Sequence, residues 1–246
     1  MRALITGVAG FIGSTLGEKL TSLGHEVVGV DCFTDYYARQ RKEKNLTALR
    51  DEPAFSLVEA DIVRTDLAKL LDGVDAVFHQ AAQAGVRASW GTTFESYVHH
   101  NVLGTQMLLE AVKKAKHVKR LVYASSSSIY GDTDDLPMRE HSLPKPYSPY
   151  GVTKLAAENL CELYRNNFGV STVSLRYFTV YGPRQRPDMA FNKFIRNLLA
   201  DQPLSIFGSG KQTRDFTFVD DIVDANIAAA VEPKASGIYN IGGGSR

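Results

Sequence analysis

Short apolar runs alternate along this chain with longer segments whose apolar positions recur at helical spacing. The runs Ala3–Thr6, Glu26–Asp31, Phe55–Glu59, Ala76–His79, Arg120–Ala124 and Thr172–Arg176 predict strands. The segments Phe11–Leu23, Asp35–Leu49, Phe94–Lys116 and Pro149–Phe168 predict the helices between them. Strands that are apolar throughout and separated by helices imply a parallel sheet covered on both faces, the doubly wound α/β class. After Thr179 the rhythm breaks into turns at Gly182-Pro183, Arg186-Pro187, Gln202-Pro203 and Gly208-Ser209-Gly210. A smaller loop-rich segment is expected there, lying over the carboxyl ends of the strands where such sheets bind ligands.

The bulk numbers narrow the class without naming a chemistry. The chain has 246 residues, 44% hydrophobic and 22% charged, which suits a soluble globular protein with a sizeable core. A formal net charge of +1 gives no electrostatic case for a nucleic-acid or membrane partner. No apolar run reaches the roughly 18 residues that span a bilayer. The N-terminus runs straight into a strand pattern, so no signal peptide is expected. Cys32 and Cys161 form no disulfide framework or metal spacing, and a reducing, cytoplasmic setting fits them. The pair His99-His100 has no neighbouring cysteine or carboxylate in sequence to complete a zinc pattern, so no metal is expected.

Two local patterns carry chemistry. Gly7-Val8-Ala9-Gly10-Phe11-Ile12-Gly13 follows the first strand and opens the first helix. Glycines there permit a tight turn and let backbone N–H groups of Phe11, Ile12 and Gly13 approach a pyrophosphate. Asp31 closes the second strand, 18 residues after Gly13. A carboxylate at that place accepts both ribose hydroxyls of NAD and repels the 2′-phosphate of NADP, which favours NAD. Asp61-Ile62, after the third strand, suits either the adenine or an ordinary helix cap. Ala81-Ala82-Gln83, after the fourth, allows close approach of a cofactor, or simply close packing. The second pattern is Tyr150-Gly-Val-Thr-Lys154. Positions four apart share one helix face, which sets a phenol beside an ammonium, and a nearby cation makes a tyrosine a usable base near neutral pH.

With these residues in hand, the chain resembles the extended short-chain dehydrogenases/reductases of the NAD-dependent sugar-nucleotide epimerase/dehydratase family. The matching residues are Gly7/Gly10/Gly13, His79-Gln80-Ala81-Ala82, Ser125 to Gly131, Tyr150 with Lys154, Arg176-Tyr177-Phe178 and Arg214-Asp215-Phe216, in family order. The resemblance implies that Tyr150 removes the proton from a sugar hydroxyl while hydride leaves the same carbon for NAD. It implies that Lys154 binds the nicotinamide ribose and keeps Tyr150 acidic, that Ser126 hydrogen-bonds the reacting hydroxyl, and that Tyr177 lies against the cofactor. It also implies a Rossmann domain over residues 1–178, a substrate-binding region over 179–212 and a return to the Rossmann domain over 213–246. Family members usually continue further, so a C-terminal substrate region is expected to be missing. The helices Phe94–Lys116 and Pro149–Phe168 resemble the pair that forms family homodimers.

The resemblance further separates the members. Dehydratases carry an Asp-Glu pair beside the serine, and decarboxylases tend to place Glu there; this chain has Ser127 and Ser128. Without an acid–base pair the expected reaction is reversible oxidation at C4, rotation of the keto sugar and return of hydride, a 4-epimerisation of a UDP-sugar. The segment Gly182 to Ala190 and the run Gln83 to Arg87 resemble those of UDP-glucuronate 4-epimerases. Arg186 is then the candidate for a sugar carboxylate, since an arginine fork suits one, with Ser127 and Ser128 as further donors and Arg87 nearby. The alternative is that Arg184 and Arg186 solvate a loop or touch phosphate. Thr179 stands where galactose epimerases usually have Asn. Arg214 is expected on the diphosphate and Phe207 beside the base. The alternatives are a UDP-glucose/galactose 4-epimerase, a UDP-glucuronate decarboxylase, and a non-catalytic NAD-binding sensor on the same fold.

Overall fold

The computed structural model describes residues 1–206 and 208–244. Among the described residues nine strands appear in chain order: β1 (Arg2–Thr6), β2 (Glu26–Asp31), β3 (Phe55–Glu59), β4 (Ala76–His79), β5 (Arg120–Ser126), β6 (Thr172–Tyr177), β7 (Thr179–Tyr181), β8 (Phe216–Phe218) and β9 (Gly237–Ile241). The helices are α1 (Phe11–Ser22), α2 (Arg39–Asn45), α3 (Thr47–Arg50), α4 (Leu67–Leu70), α5 (Phe94–Tyr97), α6 (Gly104–Lys114), α7 (Pro149–Phe168), α8 (Ala190–Leu199) and α9 (Val219–Val231). Seven strands form one parallel sheet in the order β3-β2-β1-β4-β5-β6-β9, and β7 pairs with β8 in a small second sheet. The expected doubly wound class is therefore present.

Strand alternation explains how a continuous apolar run covers two cores. In β1, Leu4 faces one side and Ile5 the other, because successive side chains point to opposite faces. Ile5 joins Leu16 and Leu20 of α1 and Ile222 and Val223 of α9. Leu4 joins Leu108 and Leu109 of α6 and Cys161 and Tyr164 of α7. Both clusters are closed to solvent, so the sheet is buried from both sides as the composition of its strands requires.

The elements depart from expectation in three places. The helix expected over Asp35–Leu49 starts only at Arg39 and breaks at Leu46 into α2 and α3. Residues before it are drawn inward instead: the buried Lys42 ammonium donates to the Thr34 carbonyl at 2.7 Å. The helix expected over Phe94–Lys116 is interrupted by a π-helical turn, Val98–Leu103. The segment after Thr179, read as loop-rich, is largely regular, with β7, the amphipathic helix α8, β8, the core-packed helix α9 and β9.

Beneath the reacting end of the sheet lies a buried ion pair. Arg176 of β6 sets its guanidinium against the Glu158 carboxylate of α7, with an Nη2–Oε1 distance of 2.6 Å. The side chains are 3% and 1% exposed. Ser125 donates to the same carboxylate at 2.5 Å, and Arg176 also donates to the Tyr130 hydroxyl at 2.6 Å. Removing one partner strands a buried charge. Glu158→Ala is therefore expected to lower unfolding free energy by about 3–5 kcal/mol in denaturant titrations, while Glu158→Met with Arg176→Met loses less than the single variant. Equal losses would contradict this reading.

Candidate functional site

The sheet order places β1 between β2 and β4, where the chain reverses direction across the sheet, and a cleft opens there at the carboxyl ends of the strands. Every cofactor residue expected from the sequence lines it: Gly7, Gly10, Phe11, Ile12, Gly13, Asp31, Asp61, Ile62, Ala81, Ala82, Gln83, Tyr150, Lys154 and Tyr177. Arg186 lines it as well.

The glycine turn is dictated by space. Gly7 has φ +73°, and a Cβ on Gly13 would strike the Gly7 carbonyl oxygen. Gly10 is the N-cap of α1 and brings no side chain to the helix end, so the first-turn N–H groups face the cleft. That is a fit for a pyrophosphate. The Asp31 carboxylate is aimed by two amides, Ala9 N–H at 3.0 Å and Phe33 N–H at 2.8 Å. Burial raises its pKa, and Lys42 with the two amides opposes that rise. The short side chain of Ala81 answers to both readings, since its backbone crosses tightly over Gly7 while it also lines the cleft.

Asp61 proves not to be a helix cap. Asp66 caps α4, whereas Asp61 Oδ1 closes a turn on Val63 N–H at 2.9 Å and Oδ2 meets His99 Nε2 at 2.9 Å. The histidine pair, for which the sequence suggested no nearby carboxylate, thus has one. The ligand-type atoms of Asp61, His99 and His100 lie within 4.8 Å of one another. The same π-helical turn carries Asn101, a residue that sequence reasoning passed over. Its side chain accepts from Gln83 N–H at 2.7 Å and donates to the Gln83 carbonyl at 3.1 Å and to Thr153 Oγ1 at 3.0 Å.

At the other end of the cleft, α7 begins with Ser148 as N-cap and Pro149 in the first turn, which places Tyr150 at the helix mouth. The Tyr150 phenol lies beside the Ser126 side chain at the end of β5. Burial raises the phenol's pKa above its ordinary value, and the Arg186 guanidinium and the Ser126 side chain pull it back. Lys154 acts elsewhere: its ammonium donates to the Ala124 carbonyl at 2.6 Å, and burial lowers its pKa to about 8. Arg186 thus adds a charge that lowers the Tyr150 pKa, a contribution the sequence did not suggest. The Tyr177 hydroxyl accepts from Asn226 Nδ2 at 2.7 Å, and its single proton lies within reach of Asn226 Oδ1 at 2.9 Å and Gln80 Oε1 at 3.2 Å.

The two loop arginines part company. Arg184 pairs with Glu18 of α1 at 2.7 Å and anchors the loop, while Arg186 reaches the cleft. Gln185 between them is buried, donates to the Val180 carbonyl at 3.0 Å and accepts from Asn192 N–H at 3.1 Å, which sets the loop's path. Ser127 and Ser128 form a 3₁₀ turn directly after Ser126, with Ser128 N–H donating to Ser126 Oγ at 3.1 Å. Thr179 starts β7, its N–H on the Asp215 carbonyl at 3.1 Å. Arg87 lies exposed in a 3₁₀ turn outside the cleft. Arg214 is also exposed and outside it, donating to the neighbouring Thr213 carbonyl at 2.7 Å. Phe207 lies outside the described residues.

A dinucleotide cleft on a doubly wound parallel sheet, closed at one end by a phenol and a buried ammonium, defines an enzyme class, the extended short-chain dehydrogenases/reductases. Over residues 3–242 the chain matches the NAD dependent epimerase/dehydratase family, and it belongs to that family. With membership comes NAD as the cofactor, in keeping with Asp31. A Bacillus subtilis protein named as an uncharacterised UDP-glucose epimerase is 47% identical over 248 residues, covering 100% of this chain and 78% of its own. A UDP-glucuronate 4-epimerase of Thermodesulfobacterium geofontis is 42% identical over 244 residues, covering 98% of this chain and 75% of its own. The crystal structure of UDP-glucuronic acid 4-epimerase from Bacillus cereus, in complex with UDP-glucuronic acid and NAD, superposes with a TM-score of 0.96 at 47% identity, covering 100% of this chain and 78% of that one.

The depressed Lys154 pKa has a stability consequence. A buried lysine below its unfolded value is a burden wherever it is charged in the fold, so the burden is full below about pH 8 and is relieved as pH rises toward 10.5. In cofactor-free protein Lys154→Met is expected to melt higher at pH 7, by about 2–4 °C per kcal/mol relieved, with the gain shrinking by pH 10. Calorimetry showing a lower melting temperature at both pH values would contradict it.

Proposed function

We propose that this chain catalyses the 4-epimerisation of UDP-glucuronate to UDP-galacturonate, with Ser126, Tyr150 and Lys154 as its catalytic residues. The observation that carries the reading is Arg186 at the Tyr150 end of the cleft, with serines rather than an acid–base pair in the two positions after Ser126. Tyr150 accepts the proton of the C4 hydroxyl, and Ser126, beside the phenol, hydrogen-bonds the same hydroxyl. NAD supplies the acceptor and later the donor of the C4 hydride. Lys154, beside the nicotinamide ribose, holds that end of the cofactor. Arg186, with Ser127 and Ser128, receives the sugar carboxylate. A 4-keto uronic acid is a β-keto acid and loses carbon dioxide easily, so this carboxylate must be held with its C5–C6 bond poorly aligned with the carbonyl. Thr179 and the region 179–212 face the sugar in this scheme, and Arg87 and Arg214 reach the substrate only if their segments move toward it.

A second reading, UDP-glucose/galactose epimerisation, draws on the Arg186–Asp188 pair, which leaves the cleft's arginine already neutralised at 3.0 Å. The assembly is proposed to be a homodimer, supported by Val98 and Leu103 on the π-helical turn and Val152 and Leu163 on α7, all exposed. Sedimentation of the NAD-loaded protein at twice the chain mass is the expected result. The cytoplasmic setting is proposed from the two free cysteines; no helix among the described residues is long and apolar enough to cross a membrane.

One assay separates the activities. Incubated with UDP-glucuronate and followed by NMR, the protein is expected to yield UDP-galacturonate. UDP-pentose with carbon dioxide would overturn the reading for a decarboxylase, and no turnover of this sugar or of UDP-glucose, with NAD still bound, would favour a sensor. Tyr150→Phe is expected to lower kcat by about 10²–10⁴-fold while NAD stays bound. A variant retaining more than a tenth of wild-type kcat would remove Tyr150 from the base role.

A further inference from the structure

Arg186 does not wait in the cleft as an open cation. Its Nε donates to Asp188 Oδ1 and its Nη2 to Asp188 Oδ2, each at 3.0 Å, a fork-to-fork pair of the kind an arginine makes with a bound carboxylate. Asp188 is two residues further along the same loop, so the pair is local and costs little chain ordering. The same Asp188 oxygen also accepts the Tyr36 hydroxyl at 3.2 Å. Tyr36 comes from the other half of the molecule, in the loop that follows Asp31. It crosses Gly85, where φ is +105° and any Cβ would collide with the Tyr36 hydroxyl. Asp188 therefore sits between the loop behind the ribose carboxylate and the arginine that faces Tyr150.

We propose that Asp188 is a specificity-determining residue, an internal carboxylate that occupies the Arg186 guanidinium until a substrate carboxylate takes its place. The inference rests on the UDP-uronate reading above and adds to it an exchange of partners. A hexuronate offers Arg186 a second carboxylate and competes with Asp188 for the same two donors, while the Tyr36 hydroxyl remains to receive the displaced Asp188. A neutral hexose has nothing to offer the guanidinium, and the pair stays closed behind it. Two carboxylates around one guanidinium leave an excess negative charge, so Asp188 weakens uronate binding and eases product release. For a neutral hexose it does the opposite, since it spares the site an uncompensated cation.

The two substrate classes should therefore respond to Asp188 in opposite directions. In NAD-loaded protein, Asp188→Asn is expected to lower the Kd and KM for UDP-glucuronate about tenfold, the difference between a charge-assisted and a neutral hydrogen bond. The Kd for UDP-glucose, measured by calorimetry on the same sample, is expected to stay level or rise. Asp188→Glu, which keeps the charge, should behave like wild type. If Asp188→Asn does not fold, Asp188→Ser carries the same comparison. A rise in Kd for both sugars, or parallel changes, would overturn the proposal, because a merely structural residue damages both alike. The two readings fail separately: absence of UDP-glucuronate turnover by the wild type sinks the epimerase assignment, whereas the paired binding constants judge Asp188 without needing turnover.

Discussion

The bidentate contact between Arg176 and Glu158 joins the elements on which the reacting end of the cleft is built. Arg176 belongs to β6, which ends in Tyr177, and Glu158 lies one helical turn beyond Lys154 on α7. Ser125, the residue before Ser126, binds the same carboxylate. One buried pair thus fixes the register of a helix and two strand ends against each other, and with them the phenol, the hydroxyl and the ammonium. A charge pair sealed from water is a poor source of net stability but a strict one in geometry, since any slip leaves an unpaired charge in low dielectric. The neighbouring side chains inherit that strictness.

The cofactor half was legible because its constraints are local in sequence. A glycine turn between a strand and a helix, and an acid at the next strand end, are set by backbone space and by the order of a parallel sheet. Strand limits were legible for a related reason: a run buried on both faces leaves no polar interruption. Other features depended on contacts between distant segments. The break of the helix around Asn101 follows from hydrogen bonds to Gln83 and Thr153, which no periodicity records. Asp61 and His99 meet across 38 positions, so adjacency in sequence could not supply the carboxylate. The helix α8 was hidden for a different reason. Its apolar positions Ile195, Leu198 and Leu199 are exposed, and the turn residues on either side masked its spacing.

The spacing of Tyr150 and Lys154 invited an account in which the lysine alone adjusts the tyrosine. The fold divides that task. Helical neighbours at this spacing share a face, yet a four-carbon stem lets the ammonium choose its partner, and here it takes the Ala124 carbonyl within the sheet. Burial then works on the two groups in opposite senses, raising the phenol and lowering the ammonium. Burial thus favours the neutral form of each group, carrying the ammonium toward the physiological range and the phenol away from it.

This leaves the phenol responsive to a charge that comes from the substrate loop. Arg186 opposes the rise that burial imposes on the Tyr150 pKa, and the strength of that pull depends on what else the guanidinium holds. When its partner is Asp188, the field at the phenol is that of a pair; when the partner changes, so does the field. The loop bearing Arg186 and Asp188 is tied on one side to α1 through Arg184 and Glu18, and on the other to the segment behind Asp31 through Tyr36. Recognition of the sugar, acidity of the base and the wall of the cofactor cleft are therefore linked by a short chain of hydrogen bonds. On the proposed reading, one substitution in the loop is expected to shift both the preferred substrate and the pH at which Tyr150 works.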